Sequence, residues 1–181
     1  MLHAILLGIL TAVPPVAASG HAADMPVPAV LGPVHGGGPI ALADSIVIEK
    51  KAHRLTLYHM GRPIRTYLVA LGADVEKDKV SAGDRRTPEG LFYIDSRNPY
   101  SQYHLALQIS YPDAAHRVRA DELGVSPGGN IMIHGLPNGK GKTGAFHRTV
   151  DWTNGCIALT DEEMDEIWSV VPTGTPVLIK R

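Results

Sequence analysis

Residues 131–159 read IMIHGLPNGKGKTGAFHRTVDWTNGCIAL. A short apolar run, Ile131-Met132-Ile133, delivers His134-Gly135, and Thr153-Asn154-Gly155-Cys156 leads into a second run, Ile157-Ala158-Leu159. Short apolar runs bounded by glycine predict buried strands. One would end at an imidazole and the other begin at a thiol. Cys156 is the one cysteine of the chain. A thiol reacts as thiolate, and a nearby imidazole takes its proton or stabilises the anion. Gly155 allows a sharp turn with its N–H uncovered. The N–H groups of Gly155 and Cys156 are therefore expected to point at the oxygen of a carbonyl under attack.

The stretch resembles the catalytic motif of the L,D-transpeptidase (YkuD-like) family: a His, an intervening loop, then Ser/Thr-x-Gly-Cys and an apolar residue. Other landmarks fall in the family's order between Asp44 and Lys180. Ser45-Ile46-Val47 through Leu55-Thr56-Leu57-Tyr58 is similar to its opening hairpin, and Tyr67 to Gly72 to the strand after it. Gly83-Asp84-Arg85-Arg86-Thr87-Pro88-Glu89-Gly90 is similar to its Thr-Pro-x-Gly turn. The resemblance implies a mostly β fold, a YkuD-like curved β-sheet or sandwich with a few short helices. It implies Cys156 as nucleophile, His134 as general base and the Gly135 carbonyl as the group that orients the imidazole. The implied partners are peptidoglycan stem peptides, in cell-wall biogenesis and cell shape, with no cofactor and no metal. The implied chemistry is a Cys156 thioester resolved by an amine into an L,D cross-link. With water as acceptor the same site would be an L,D-carboxypeptidase or amidase.

Three departures from the family pattern stand out. Asn154 occupies a place where many members carry a second His. Ala158, two after the cysteine, stands where many carry Asn or Arg, so a polar side chain next to substrate is missing. The loop between His134 and Thr153 holds eighteen residues, slightly more than usual.

The 181 residues suffice for one domain with a real core. A net charge of -1 gives no basic footprint for nucleic acid. A single cysteine excludes an internal disulfide, and 19 glycines with 14 prolines predict many turns. Residues 2–18 are almost wholly apolar or small. Their core, Ala4 to Val13, is too short to span a bilayer and ends at a Pro pair, with Ala17, Ser19 and Ala22 at plausible cleavage positions. The expected organisation is a signal peptide over 1–23, a Pro/Gly-rich linker over 24–43 and the catalytic domain over 44–181. It implies export to the periplasm or cell envelope, with no membrane span once the signal is removed. A buried N-terminal segment is the competing reading, since Met1-Leu2-His3 carries no Lys or Arg. In an oxidising compartment a lone thiol is a liability unless it has a task.

Alternation predicts strands over Ser45–Glu49, Arg54–Tyr58 and Ile64–Leu71, with a turn at Met60-Gly61-Arg62-Pro63. Ala73 to Ala82 is expected to be a mobile charged loop. Leu91–Asp95 and Tyr103–Ser110 read as further strands, and Asp113–Leu123 as a short helix bringing Arg117 and Arg119 near the active strand. Thr160-Asp161-Glu162-Glu163 is a capping box opening a helix whose stripe is Met164, Ile167, Trp168 and Val171. The acidic first turn reads as dipole stabilisation. Thr175–Lys180 is the last strand.

Leu136 to Gly144 lacks the spacing of a phosphate loop and reads as a rim over the thiol or a plain solvent loop. His147 competes with His134 for the role of base; it lies nine positions before Cys156, against twenty-two. His134, at a strand end before a glycine, is favoured. His147, Arg148, Trp152 and Asn154 remain as candidate substrate contacts, Trp152 also as a packing anchor. Two other classes stay open: a non-catalytic wall-binding module with Cys156 as a small buried residue, and a zinc site of His134, His147 and Cys156, whose spacing matches no short zinc motif.

Overall fold

The computed structural model describes residues 41–181. The expected signal peptide, and the linker up to residue 40, lie outside the described residues. Eight strands follow in chain order: β1 (Ser45–Glu49), β2 (Arg54–His59), β3 (Arg62–Leu68), β4 (Gly90–Asn98), β5 (Ala106–Ile109), β6 (Met132–His134), β7 (Ile157–Ala158) and β8 (Pro176–Lys180). Helix α1 (Ala114–Glu122) lies between β5 and β6, and α2 (Asp161–Val170) between β7 and β8. A 3₁₀ segment, Gly141–Thr149, fills part of the loop after β6. The strands form one curled half-barrel sheet in the order β3-β2-β1-β8-β4-β5-β6-β7. Pairings are antiparallel except β1–β8 and β6–β7.

Period-two alternation puts Ile46 and Ile48, Leu55 and Leu57, Phe92 and Ile94, and Val177 and Ile179 on one buried face. Helix α2 adds Met164, Ile167 and Val170 to that core. Its capping box forms as the sequence predicts, Thr160 and Glu163 each accepting the other's backbone N–H. Ala43, at the end of the expected linker, is buried, and its N–H donates to the Val170 carbonyl at 2.8 Å.

The second hairpin, β2–β3, departs from its prediction by two residues. Met60 and Gly61, with φ of 51° and 72°, make the two-residue turn, and Pro63 already belongs to β3. Proline is tolerated there because β3 is an edge strand, and the β2–β3 register shifts at Leu57/Tyr58. The expected third strand also stops early, at Leu68. Ala70 leaves the β2 ladder and exchanges hydrogen bonds with Ala158 of β7, at 3.0 and 2.9 Å.

The charged loop expected to be mobile is stitched down by its own charges. Lys50, fully buried, donates to Glu89 at 2.8 Å and to the Lys77 carbonyl at 2.6 Å. Lys79 meets Asp84 at 2.8 Å, and Asp84 accepts the N–H groups of Val80, Ser81 and Arg86. Helix α1 clamps the same loop. Arg119 pairs with Asp78 at 2.8 Å, and His116 contacts Asp113 at 2.7 Å and Asp78 at 3.4 Å. Arg119 is therefore committed to this loop rather than to the active strand, and Arg117 is exposed.

The hydrogen bond that His116 donates to Asp78, helped by Asp113, raises the His116 pKa against the opposing effect of burial. A histidine with a raised folded pKa contributes most below its unfolded value of about 6.5, and that contribution is lost as pH rises through the folded pKa. His116→Gln should therefore lower the urea unfolding free energy more at about pH 5.5 than at about pH 8.5. An equal loss at both pH values would show that the imidazole is held neutral.

Candidate active site

Strands β6 and β7 run side by side in parallel, with Ile133 opposite Ile157 and His134 opposite Ala158. That register sets Cys156 beside Met132, two positions before His134, and side chains two apart share a face. Cys156 and His134 accordingly line one cavity of about 240 Å³, together with Tyr103, Met132, Trp152, Thr153 and Asn154. Cys156 is half-buried and His134 buried.

The turn before the thiol is held by one hydroxyl. Thr153 Oγ1 donates to the Cys156 carbonyl at 2.7 Å and accepts the Gly155 N–H at 3.1 Å, while the Thr153 N–H donates to Leu71. This gives the threonine of Thr-x-Gly-Cys a physical reason: it closes the turn from within. It also corrects an expectation. The Gly155 N–H, expected to face an oxyanion, is taken up by the Thr153 hydroxyl, because the tight turn brings that acceptor to it first. Gly155 has φ 121°, and a Cβ there would lie 2.5 Å from the Arg86 carbonyl and 3.1 Å from Ile131 Cδ1. The Thr-Pro-x-Gly turn thus supports the thiol loop from below, and Thr87 Oγ1 accepts the Gly72 N–H at 3.1 Å.

His134 Nδ1 lies 2.7 Å from the Gly135 carbonyl. A carbonyl only accepts, so Nδ1 carries the proton, and in the neutral ring Nε2 keeps its lone pair. Burial lowers the His134 pKa, opposed by the Gly135 carbonyl. Burial raises the Cys156 pKa, opposed by the Met132 N–H and the Lys79 charge. Both shifts favour the uncharged forms of thiol and imidazole. The thiol lies 3.6 Å from the Asn130 carbonyl, to which it donates.

The L,D-transpeptidase catalytic domain, YkuD, matches residues 43–179. The chain belongs to this family. Solved structures agree on the fold. The helical cell shape determining protein Pgp2 of Campylobacter jejuni is 26% identical, with TM-score 0.59 over 81% of this chain and 52% of its own. Bd1075 of Bdellovibrio bacteriovorus is 21% identical, with TM-score 0.51 over 77% and 48%. An L,D-transpeptidase of Xylanimonas cellulosilytica is 16% identical, with TM-score 0.53 over 77% and 61%. The chain thus spans roughly half to three fifths of these structures. No curated protein matches it.

Within this YkuD domain the remaining candidates separate. Asn154 is exposed at the cavity with Cys156. Trp152 forms a wall between two cavities: its ring meets His134 edge-on at 5.9 Å on one side, and its indole N–H reaches towards His147 Nδ1 at 3.4 Å on the other. His147 is buried behind it and pushed down to about 4, by burial first and the Arg148 charge second. It lines a second, apolar cavity of about 270 Å³ with Leu136, Pro137, Phe146 and Val150, whose rim includes Lys140 and Thr143 of the glycine-lysine loop. Arg148 does not line the thiol cavity; its guanidinium pairs with Glu163 of the capping box. His134, His147 and Cys156 do not converge, and among the described residues no three His, Cys, Asp or Glu side chains do so in a way that could hold a metal.

Two lining residues carry no signal of a role in the sequence: Tyr103, whose ring lies 4.6 Å from that of His134, and Met132. Neither carries a motif; only the β5–β6 pairing brings residues 103 and 134 together.

Gly155→Ala should cost about 3 kcal/mol of urea unfolding free energy, from a positive φ and a backbone clash together. Gly61→Ala, with φ 72° and open space around its Cβ, should cost about 1 kcal/mol. Equal losses would show that the Arg86 carbonyl moves aside.

Proposed function

We propose that this domain is an exported cysteine acyltransferase acting on peptidoglycan stem peptides. The observation that carries this reading is the cavity lined by both Cys156 and His134, with the His134 Nδ1 proton already committed to Gly135. Cys156 Sγ attacks a carbonyl of the stem, and His134 Nε2 takes the thiol proton. Of the two N–H groups expected to serve the developing oxyanion, the Cys156 N–H is the one proposed to do so, because the Gly155 N–H is held by Thr153. His134 returns the proton to the departing amine, leaving a thioester. An amine of a second stem then displaces the thiol and completes an L,D cross-link.

Family membership supports the peptidoglycan-directed reading. The similarity to a protein described as helical cell shape determining fits a role in wall geometry. Export rests on residues 1–23, and the exported setting follows the family's substrate. Among the described residues no helix is long and apolar enough to cross a membrane.

Intact mass after mixing the protein with a stem tetrapeptide, or with a carbapenem as a strained acyl donor, tests the thiol. Cys156→Ala should form no adduct and keep its fold; His134→Ala should slow adduct formation by about 10²–10⁴-fold. An adduct of unchanged rate in Cys156→Ala would end the proposal. The product decides the acceptor: a cross-linked dimer means amine, and a free tripeptide means water.

The pH profile offers an independent check. A lowered His134 pKa keeps the base neutral below its ordinary value, so adduct formation should fall only below about pH 6.5. An acid limb centred above that value would mean that His134 is not the titrating base.

A further inference from the structure

The Gly135 carbonyl that receives the His134 Nδ1 proton is half of a peptide unit. Its other half is the Leu136 N–H, which donates to Asp161 Oδ1 at 2.8 Å. Imidazole, peptide and carboxylate therefore form one hydrogen-bonded line. We infer that Asp161 is a positioning residue for the base: it fixes and polarises the Gly135–Leu136 peptide so that its carbonyl holds the His134 Nδ1 proton.

Three features of the structure support this. The peptide is a planar resonance unit, so an anion accepting from its N–H increases the negative charge on its oxygen. The carboxylate lies closer to the loop backbone than any side chain would permit. A Cβ on Gly135 would lie 2.7 Å from Asp161 Oδ1, and one on Gly141 would collide with Oδ2. One carboxylate thus abuts both the start and the return of the loop that follows His134. Finally, the helix cap is completed by Thr160 and Glu163, which leaves the Asp161 side chain free for the loop while α2 fixes its backbone. The remaining backbone bonds at this strand end, Gly135 N–H to Leu105 at 3.2 Å and Leu159 N–H to the His134 carbonyl at 2.9 Å, hold the chain but do not choose the ring tautomer.

In a direct Cys–His–Asp arrangement the carboxylate touches the imidazole. Here it acts one peptide away. The sequence reading assigned Asp161 to the helix dipole, and that role makes a different prediction: a dipole effect alters stability and leaves the ring proton where it is.

This deepens the reading of His134 as the base, but its test reads the ring directly, so it is decided whether or not stem peptides turn over. Long-range ¹H–¹⁵N spectra of ¹⁵N-labelled protein report which His134 nitrogen carries the proton. Wild type should show Nδ1–H with a bare Nε2. Asp161→Ala should show the second tautomer and slow adduct formation at Cys156 by about tenfold or more. Asp161→Asn keeps an oxygen for the Leu136 N–H but loses the charge; it should keep the wild-type tautomer and lower the midpoint of His134 protonation. Glu162→Gln, which removes an exposed first-turn acid of the same helix, should change neither. A wild-type His134 spectrum in Asp161→Ala, or an equal change in Glu162→Gln, would overturn the inference. Should Asp161→Ala fail to fold, an unchanged midpoint in Asp161→Asn overturns it.

Discussion

Two hydrogen bonds exchanged between Ala70 and Ala158 hold the thiol strand in place. β7 is only two residues long, too short to be a stable strand by itself. It exists because it is paired on both sides, with β6 on one and with Ala70 on the other. The chain leaving β3, one edge of the sheet, crosses to β7, the other edge. That crossing curls the sheet and leaves Cys156 on a segment whose backbone cannot drift. Ala158 is fully buried at this point. The sequence marks it as a lost polar contact with substrate, but the structure places it in the closure of the sheet, outside the cavity lining.

The same closure explains why the turn before the cysteine tolerates so little. Leu71 accepts the Thr153 N–H, Gly72 donates to Thr87, and the Arg86 carbonyl fills the space under Gly155. Asp151 ties the outer side, accepting the Leu71 N–H and meeting His53 at 2.8 Å. Three separate pieces of chain, around residues 71, 86 and 153, are thereby locked into one support. Losing the hydroxyl of Thr153 would free the Gly155 N–H but also release the Cys156 carbonyl, so the turn cannot supply a second oxyanion donor without loosening the thiol it carries.

The sequence was legible where the period was local. β1, β2, β8 and α2 announced themselves by alternation or by a capping box; β1 and β8 bury the face their pattern predicts, β2 buries Thr56 as well, and α2 buries Val170 while Trp168 of the predicted stripe is only partly covered. β7 did not, because two residues carry no period. Pro63 misled because proline speaks against a strand in general and only the edge position excuses it. At the site, the placing of His134 and Cys156 on one cavity could be read from the motif, since each sits at a strand end beside glycine. The Gly155 N–H, Arg148 and His147 could not be placed. Their partners, a hydroxyl two residues back, a carboxylate fifteen residues on and an indole, compete on distances that only the folded chain defines.

Burial pushes thiol and imidazole in opposite directions, and the consequence is a site that rests. Desolvation disfavours the thiolate and the imidazolium alike. The thiol donates a hydrogen bond to the Asn130 carbonyl instead. A protonated thiol is a poor nucleophile and also a poor target for oxidants, since both reactions run through the thiolate. In the exported setting proposed for this chain, a permanently ionised lone cysteine would be consumed by chemistry other than its own. Under the acyl-transfer mechanism proposed for this site, ionisation would wait until a carbonyl stands over Cys156, with proton transfer to His134 coupled to bond formation. What the fold supplies beforehand is orientation rather than charge: a ring with its Nδ1 proton committed to Gly135, and a sulfur on the residue just before a strand pinned from both sides.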